Sequence, residues 1–118
     1  MPLLNEGTKF MLDTLKSKIN QVAFGFDGTI ATQEDGGIGR HAVTVTPTVT
    51  TIDDNTILVE AVLPLNNSFD IPLREVVIRY QAPADASDTI DLFRYTYNAI
   101  TKTVNNEIRL SVVIEVTA

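Results

Sequence analysis

Four short stretches of this chain carry residue types that could do chemistry, and spacing decides against each. Phe26-Asp27-Gly28-Thr29-Ile30 ends like the Asp-x-Asp-Gly-Thr signature with which some phosphatases form an aspartyl-phosphate. The nucleophilic carboxylate of that signature stands two residues before Asp27, where this chain has Gly25, so no such intermediate can form. Gly36-Gly37-Ile38-Gly39 has the glycine content of a phosphate cradle. Such a cradle needs a helix opening directly behind it to aim free amides at the anion, and a threonine-valine strand pattern follows instead. Asp53-Asp54-Asn55 begins like a calcium loop, but an EF-hand requires glycine at its sixth position and glutamate at its twelfth. Those places hold Leu58 and Pro64, and the stretch reads as a hairpin turn. His41 is the single histidine and there is no cysteine, so neither a usual zinc set nor an activated nucleophile is marked. No catalytic, metal or cofactor-binding residue is expected, and the chain reads as non-enzymatic. Asn66-Asn67-Ser68 has the form of a glycosylation sequon without a signal peptide to give it meaning.

What remains is chemistry of contact. Arg74, Arg79, Arg94 and Arg109 recur on or beside strand patterns, opposite the main apolar set. Paired with Glu75, Glu107 and Glu115 they would form cross-strand ion pairs on a solvated face, each worth ~0.2–1 kcal/mol. Arginine is also enriched at protein interfaces. The interface candidates are therefore Arg40, Arg74, Arg79 and Arg94, together with Phe69 and with Leu3 and Leu4 of an apolar N-terminal arm.

The elements that must position these residues are mostly strands. Phe93, Tyr95 and Tyr97 alternate with Arg94 and Thr96, and Ile108, Leu110, Val112, Ile114 and Val116 alternate with Arg109, Ser111 and Glu115. Period-two alternation gives each segment one dry face. Asn105-Asn106 supplies turn chemistry to bring the second segment back beside the first as an antiparallel ribbon. Upstream, Gln21 to Phe26 is a short strand with Val22, Phe24 and Phe26 on one side. His41 to Thr51 alternates valine with threonine around Pro47, which makes it an edge or bulged strand. Thr56 to Leu63 returns with Ile57, Val59, Ala61 and Leu63 together, and Leu73 to Tyr80 puts Val76, Ile78 and Tyr80 on one face.

One helix is predicted, over about 8–19, with Phe10, Met11, Leu12, Leu15 and Ile19 as its apolar stripe and Asn5 as an upstream cap. Residues 27–39 hold four of the six glycines and form a long polar loop; 65–72 is a second loop between prolines, and 83–89 an acidic turn. The expected fold is mainly β, an antiparallel six-strand sandwich or half-open barrel with one short N-terminal α-helix. All 118 residues form one domain.

Composition bounds the partners. A net charge of −6 with nine scattered basic residues argues against a nucleic-acid surface. No apolar run approaches the ~18 residues of a membrane span, and MPLLNEGTKF lacks the parts of a secretory signal, so a soluble chain that contacts no membrane is expected.

Taken together, the order of signals resembles the N-terminal, baseplate-attaching domains of phage tail-fibre and tail-collar proteins, in which a pattern of the form reE(I/V)GLF, LfaR, pIxK and a closing alternating strand recurs. The matching stretches are the Asn5-x-Gly7 opening before the helix, Val22-Ala23-Phe24-Gly25, the loop with Thr32, Asp35 and Gly39-Arg40, then Arg74-Glu75-Val76, Leu92-Phe93-Arg94 and Ile100-Thr101-Lys102. Val77 departs from the pattern, standing where a glycine is usual, and no fibre shaft is expected after Ala118. The resemblance implies a tail or baseplate component, a stand-alone adaptor that links fibres to the tail. It would assemble in the host cytoplasm, reside in the virion, bind other tail or fibre proteins and form homo-oligomers, possibly trimers like fibres. The competing reading is a small β-sandwich module that binds carbohydrate or peptide through the loops at 27–39 and 65–72, where Phe69 alone could stack.

Overall fold

A computed structural model of the chain describes residues 4–29, 38–82 and 89–116. Helix α1 (Asn5–Lys18) is followed by β1 (Gln21–Gly25), β2 (His41–Val45), β3 (Thr48–Asp53), β4 (Thr56–Leu63), β5 (Leu73–Gln81), β6 (Thr89–Ile100) and β7 (Ile108–Glu115). The strands form two antiparallel sheets, a larger one in the order β2-β1-β5-β6 and a smaller one in the order β3-β4-β7. This is a mainly β fold with one helix, and it is not a closed barrel.

Seven strands stand where six were expected, and Pro47 is the reason. The stretch from His41 to Thr51 is not one strand. β2 pairs with β1 in the larger sheet, β3 pairs with β4 in the smaller, and Thr46-Pro47 carries the chain between them. Proline donates no ladder hydrogen bond and restricts the residue before it, so the chain leaves one sheet there and enters the other. The β3–β4 hairpin turns at Asp53-Asp54-Asn55, where the Asn55 amide donates to Asp53 Oδ1 at 3.0 Å.

The expected C-terminal ribbon does not form. β6 pairs with β5 and β7 pairs with β4, so the two segments belong to different sheets. The asparagine turn exists nonetheless: Asn106 accepts from the Thr103 amide at 2.8 Å and donates through Nδ2 to the Thr101 carbonyl at 2.8 Å. Its direction is set by an anchor that alternation does not reveal. Lys102 is fully buried, and its Nζ donates to the carbonyls of Asn67 and Thr103. The Phe69 amide donates back to the Lys102 carbonyl at 3.0 Å. Both connections that cross between the sheets at this end, 64–72 and 101–107, are thereby laced together.

Helix α1 closes one end of the sandwich, lying against β3, β4 and β5. Its inward side is Thr8, Leu12, Leu15 and Ile19, a three- and four-residue spacing that makes one stripe. Phe10, counted in the stripe from sequence, is 72 % exposed because two residues of helix turn it about 200° from Thr8, and Met11 is exposed on the flank. The cap also differs: Leu4 precedes the helix without a side-chain cap bond, and Asn5 is already helical. The core joins Val22 and Phe24 of β1, Ile57, Val59, Ala61 and Leu63 of β4, and Val76 and Ile78 of β5. Burying each of the larger side chains stabilises the fold by ~1.5–3 kcal/mol.

Candidate functional site

β5 sends Val76 and Ile78 into the core and Glu75 and Val77 to the opposite face of the larger sheet, yet all four are without exposed surface. Burying a carboxylate costs several kcal/mol unless it is fully bonded. Glu75 is. Its Oε2 accepts from the Asp27 amide at 2.6 Å and the Arg40 amide at 3.0 Å, and its Oε1 accepts from the Gly39 amide at 2.7 Å and from Arg94 Nε at 3.2 Å. A carboxylate offers about four lone-pair sites. Four donors fill them, leaving none to take a proton from a substrate, so the group works as a clamp and not as a base.

The neighbours are shaped to this clamp. Arg94, one strand over on β6, has a side chain only 7 % exposed and donates through Nη1 to the Thr29 carbonyl at 2.9 Å and through Nη2 to the Asp27 carbonyl at 3.2 Å. Asp27 Oδ1 accepts from the Thr29 amide at 2.9 Å and its hydroxyl at 2.7 Å, so the Asp-Gly-Thr triplet is a side-chain-capped turn docked on arginine. Gly25 lies directly opposite Glu75 in the ladder. A Cβ there would stand 2.5 Å from the Arg40 carbonyl and 2.7 Å from Glu75 Cγ, so the clamp requires glycine at that position. Both ends of the 27–40 segment are held by one side chain.

A second region differs in kind. β6 and β7 each end a sheet, and they flank the same open side of the sandwich. Between them lies a cleft of about 450 Å³, lined mainly by Phe24, Val76, Tyr95, Tyr97, Leu110 and Val112. Ile108, Leu110 and Val112 are only half-buried, whereas their β4 neighbours Val59 and Leu63 have no exposed surface. Burial pushes the Tyr95 phenol above its ordinary pKa. The Tyr97 phenol is pushed up to about 12, first by burial and then by the charge of Glu75, whose carbonyl accepts its hydroxyl at 3.2 Å.

Of the seven interface candidates, Leu3 lies outside the described residues. Leu4 stands exposed at the head of α1. Arg74 is exposed beside Gly28, and the exposed Arg40 lies with its guanidinium 5.9 Å from the centre of the Phe26 ring. Phe69 is turned inward, edge-on to Phe26 at 5.8 Å, and does not form a stacking platform at a loop tip. Arg79 pairs with Asp91 at 3.0 Å. Arg94 is taken up inside the chain, so its pairing with Glu75 is real but the face that carries it is covered, not solvated. The Arg109–Glu107 pair, at 2.9 Å, sits on an exposed face. Alternation conceals the cleft, because it predicts that the two lining strands pair with each other and they belong instead to different sheets. The residues of loop 27–39 numbered 30–37, which include Thr32 and Asp35, and most of the 83–89 turn lie outside the described residues.

Among the described residues, no cluster of three or more histidine, aspartate or glutamate side chains is placed to hold a metal, and no helix is long and apolar enough to cross a membrane. Comparison with protein-family models, with curated proteins and with solved structures finds no match for the chain.

Proposed function

We propose that this chain is a non-enzymatic structural component of a phage tail: an adaptor or baseplate part that links tail fibres to the tail, forms homo-oligomers, assembles in the host cytoplasm and is carried in the virion. One observation supports the reading. Of the charged residues in the stretches through which the sequence resembles tail-collar domains, Glu75, Arg94 and Lys102 have side chains that the fold buries and engages in several hydrogen bonds, while Arg40 and Arg74 stay exposed. A pattern of charged residues that exists to hold a domain together, with no open site among them, suits a protein whose work is assembly. The competing module that would bind sugars through its loops loses its stacking residue, since Phe69 packs against Phe26.

The test is assembly itself. Size-exclusion chromatography with light scattering should give an oligomer, and co-expression with the tail proteins encoded beside this gene should give a complex that co-purifies. A strict monomer that captures none of them removes the proposal.

A further inference from the structure

The larger sheet has four strands and the smaller three, ending at β6 and β7 respectively. β2 and β3 are joined through Thr46-Pro47, so the sheets are closed together along that flank. At the opposite flank β6 ends the larger sheet and β7 the smaller, and among the described residues no strand pairs with the free edge of either. Three further features point to an occupant. First, β7 is eight residues long and β6 twelve, and neither contains the proline or lysine with which exposed edges are usually blunted. Second, the inward residues along the free edge of β7 are apolar at every second position, Ile108, Leu110, Val112 and Ile114. Third, the outward face around that edge carries Glu60, Glu107 and Glu115, with Arg109 engaged by Glu107. The local surface is acidic, on a chain whose net charge is −6.

We infer that the β6–β7 cleft receives a single extended segment of another protein, which adds as a strand to the free edge of β7 and lies over the inner face of β6. The segment is roughly six residues long, apolar at alternate positions to fill the cleft, and basic at the outward position that meets Glu115. A second copy of this chain is the competing occupant, and the test below separates the two. The inference deepens the adaptor reading and rests on it only for the partner's being another assembly component; the cleft and its chemistry stand without it.

The experiment uses the full chain and a fluorescently labelled peptide in which valine alternates with lysine. Saturable binding is expected, with slowed amide exchange confined to residues 108–115 and the facing half of β6. A scrambled peptide of the same composition should not bind. Glu115→Lys, a surface change that spares the core, should weaken the basic peptide by about threefold to tenfold and improve a valine-glutamate peptide correspondingly. Leu110→Lys, with folding verified by circular dichroism, should abolish binding of both.

No saturable binding up to millimolar peptide, equal binding of the scrambled peptide, or protection elsewhere in the chain overturns the inference. So does a concentration-dependent dimer whose formation alone protects β7, since that would make a second copy the occupant. Tail proteins that still co-purify while the peptide fails would sink this inference alone. Peptide binding without co-purification would sink the tail reading and leave the cleft.

Discussion

The clamp around Glu75 and the cleft between β6 and β7 are opposite departures from the usual arrangement of a sandwich. At the clamp, polar groups are buried and every acceptor site is filled. At the cleft, apolar groups are assembled and left partly uncovered. Buried charge of the first kind contributes little net stability relative to a well-packed apolar core, but removing one partner is severe because the others are stranded. Half-buried apolar surface of the second kind contributes less than it could, and is available to a partner. The clamp therefore ought to be costly to break and the cleft cheap.

The largest effect is expected at Glu75. Glu75→Ala leaves three backbone amides and Arg94 Nε without their acceptor and should destabilise the chain by about 3–5 kcal/mol, a large share of the ~5–15 kcal/mol that holds a domain folded. Urea unfolding reads this as a drop in midpoint at unchanged slope. Glu75→Gln should fall between, since it keeps the volume and one acceptor but turns an amide group toward backbone donors. A loss under 1 kcal/mol for Glu75→Ala would mean that the clamp is decorative and the comparison void.

Matched substitutions in the two apolar regions sharpen the contrast. Leu63→Ala, in the closed core, should cost about 2–5 kcal/mol. Leu110→Ala, in the cleft, should cost about 1 kcal/mol, since much of its surface already meets solvent. Equal costs would show that the cleft is closed in solution. Lys102→Met comes next: it leaves the carbonyls of Asn67 and Thr103 without their donor and should cost about 1–3 kcal/mol. That loss should also loosen the amide exchange of 101–107, which distinguishes a lost anchor from a mere loss of charge.

How far the sequence could be read follows from which interactions are local. The inward sets of β4 and β5 are legible because period-two alternation is a property of the segment itself, and Ile57, Val59, Ala61, Leu63, Val76 and Ile78 all reach the core. Pairing is not local. Nothing in Phe93 to Tyr97 or in Ile108 to Val116 states which neighbour each will take, and the asparagine turn that suggested a ribbon serves equally well to cross between sheets. Pro47 announced an interruption without saying that the chain would change sheets there. Glu75 is expected on a solvated face and is buried instead for a related reason: its burial depends on Asp27, Gly39 and Arg40, residues distant in sequence that fold over it. Gly25 carried a usable signal, since a glycine at the end of a strand often marks close approach by other atoms, but not the identity of those atoms.

Tyr97 belongs to both regions, and the smallest predicted effect tests whether they are as separate as described. Its hydroxyl donates to the carbonyl of Glu75 while its ring lines the cleft. The folded chain holds its phenol up to about 12, chiefly by burial and next by the Glu75 charge. A folded pKa raised above the ordinary value near 10 means that folding favours the neutral phenol. The resulting stability is complete below pH 10 and is lost as the pH rises toward 12. Absorbance titration of the phenolates should therefore show a last-ionising tyrosine that Tyr97→Phe removes. Glu75→Gln should bring that ionisation partway down by deleting the neighbouring charge, whereas a peptide seated in the cleft should move it further up by expelling water from around the ring. A Tyr97 that titrates near 10 in the free chain would mean that the cleft is wide and wet. The apolar surface between β6 and β7 would then be less ordered than a strand-binding groove requires.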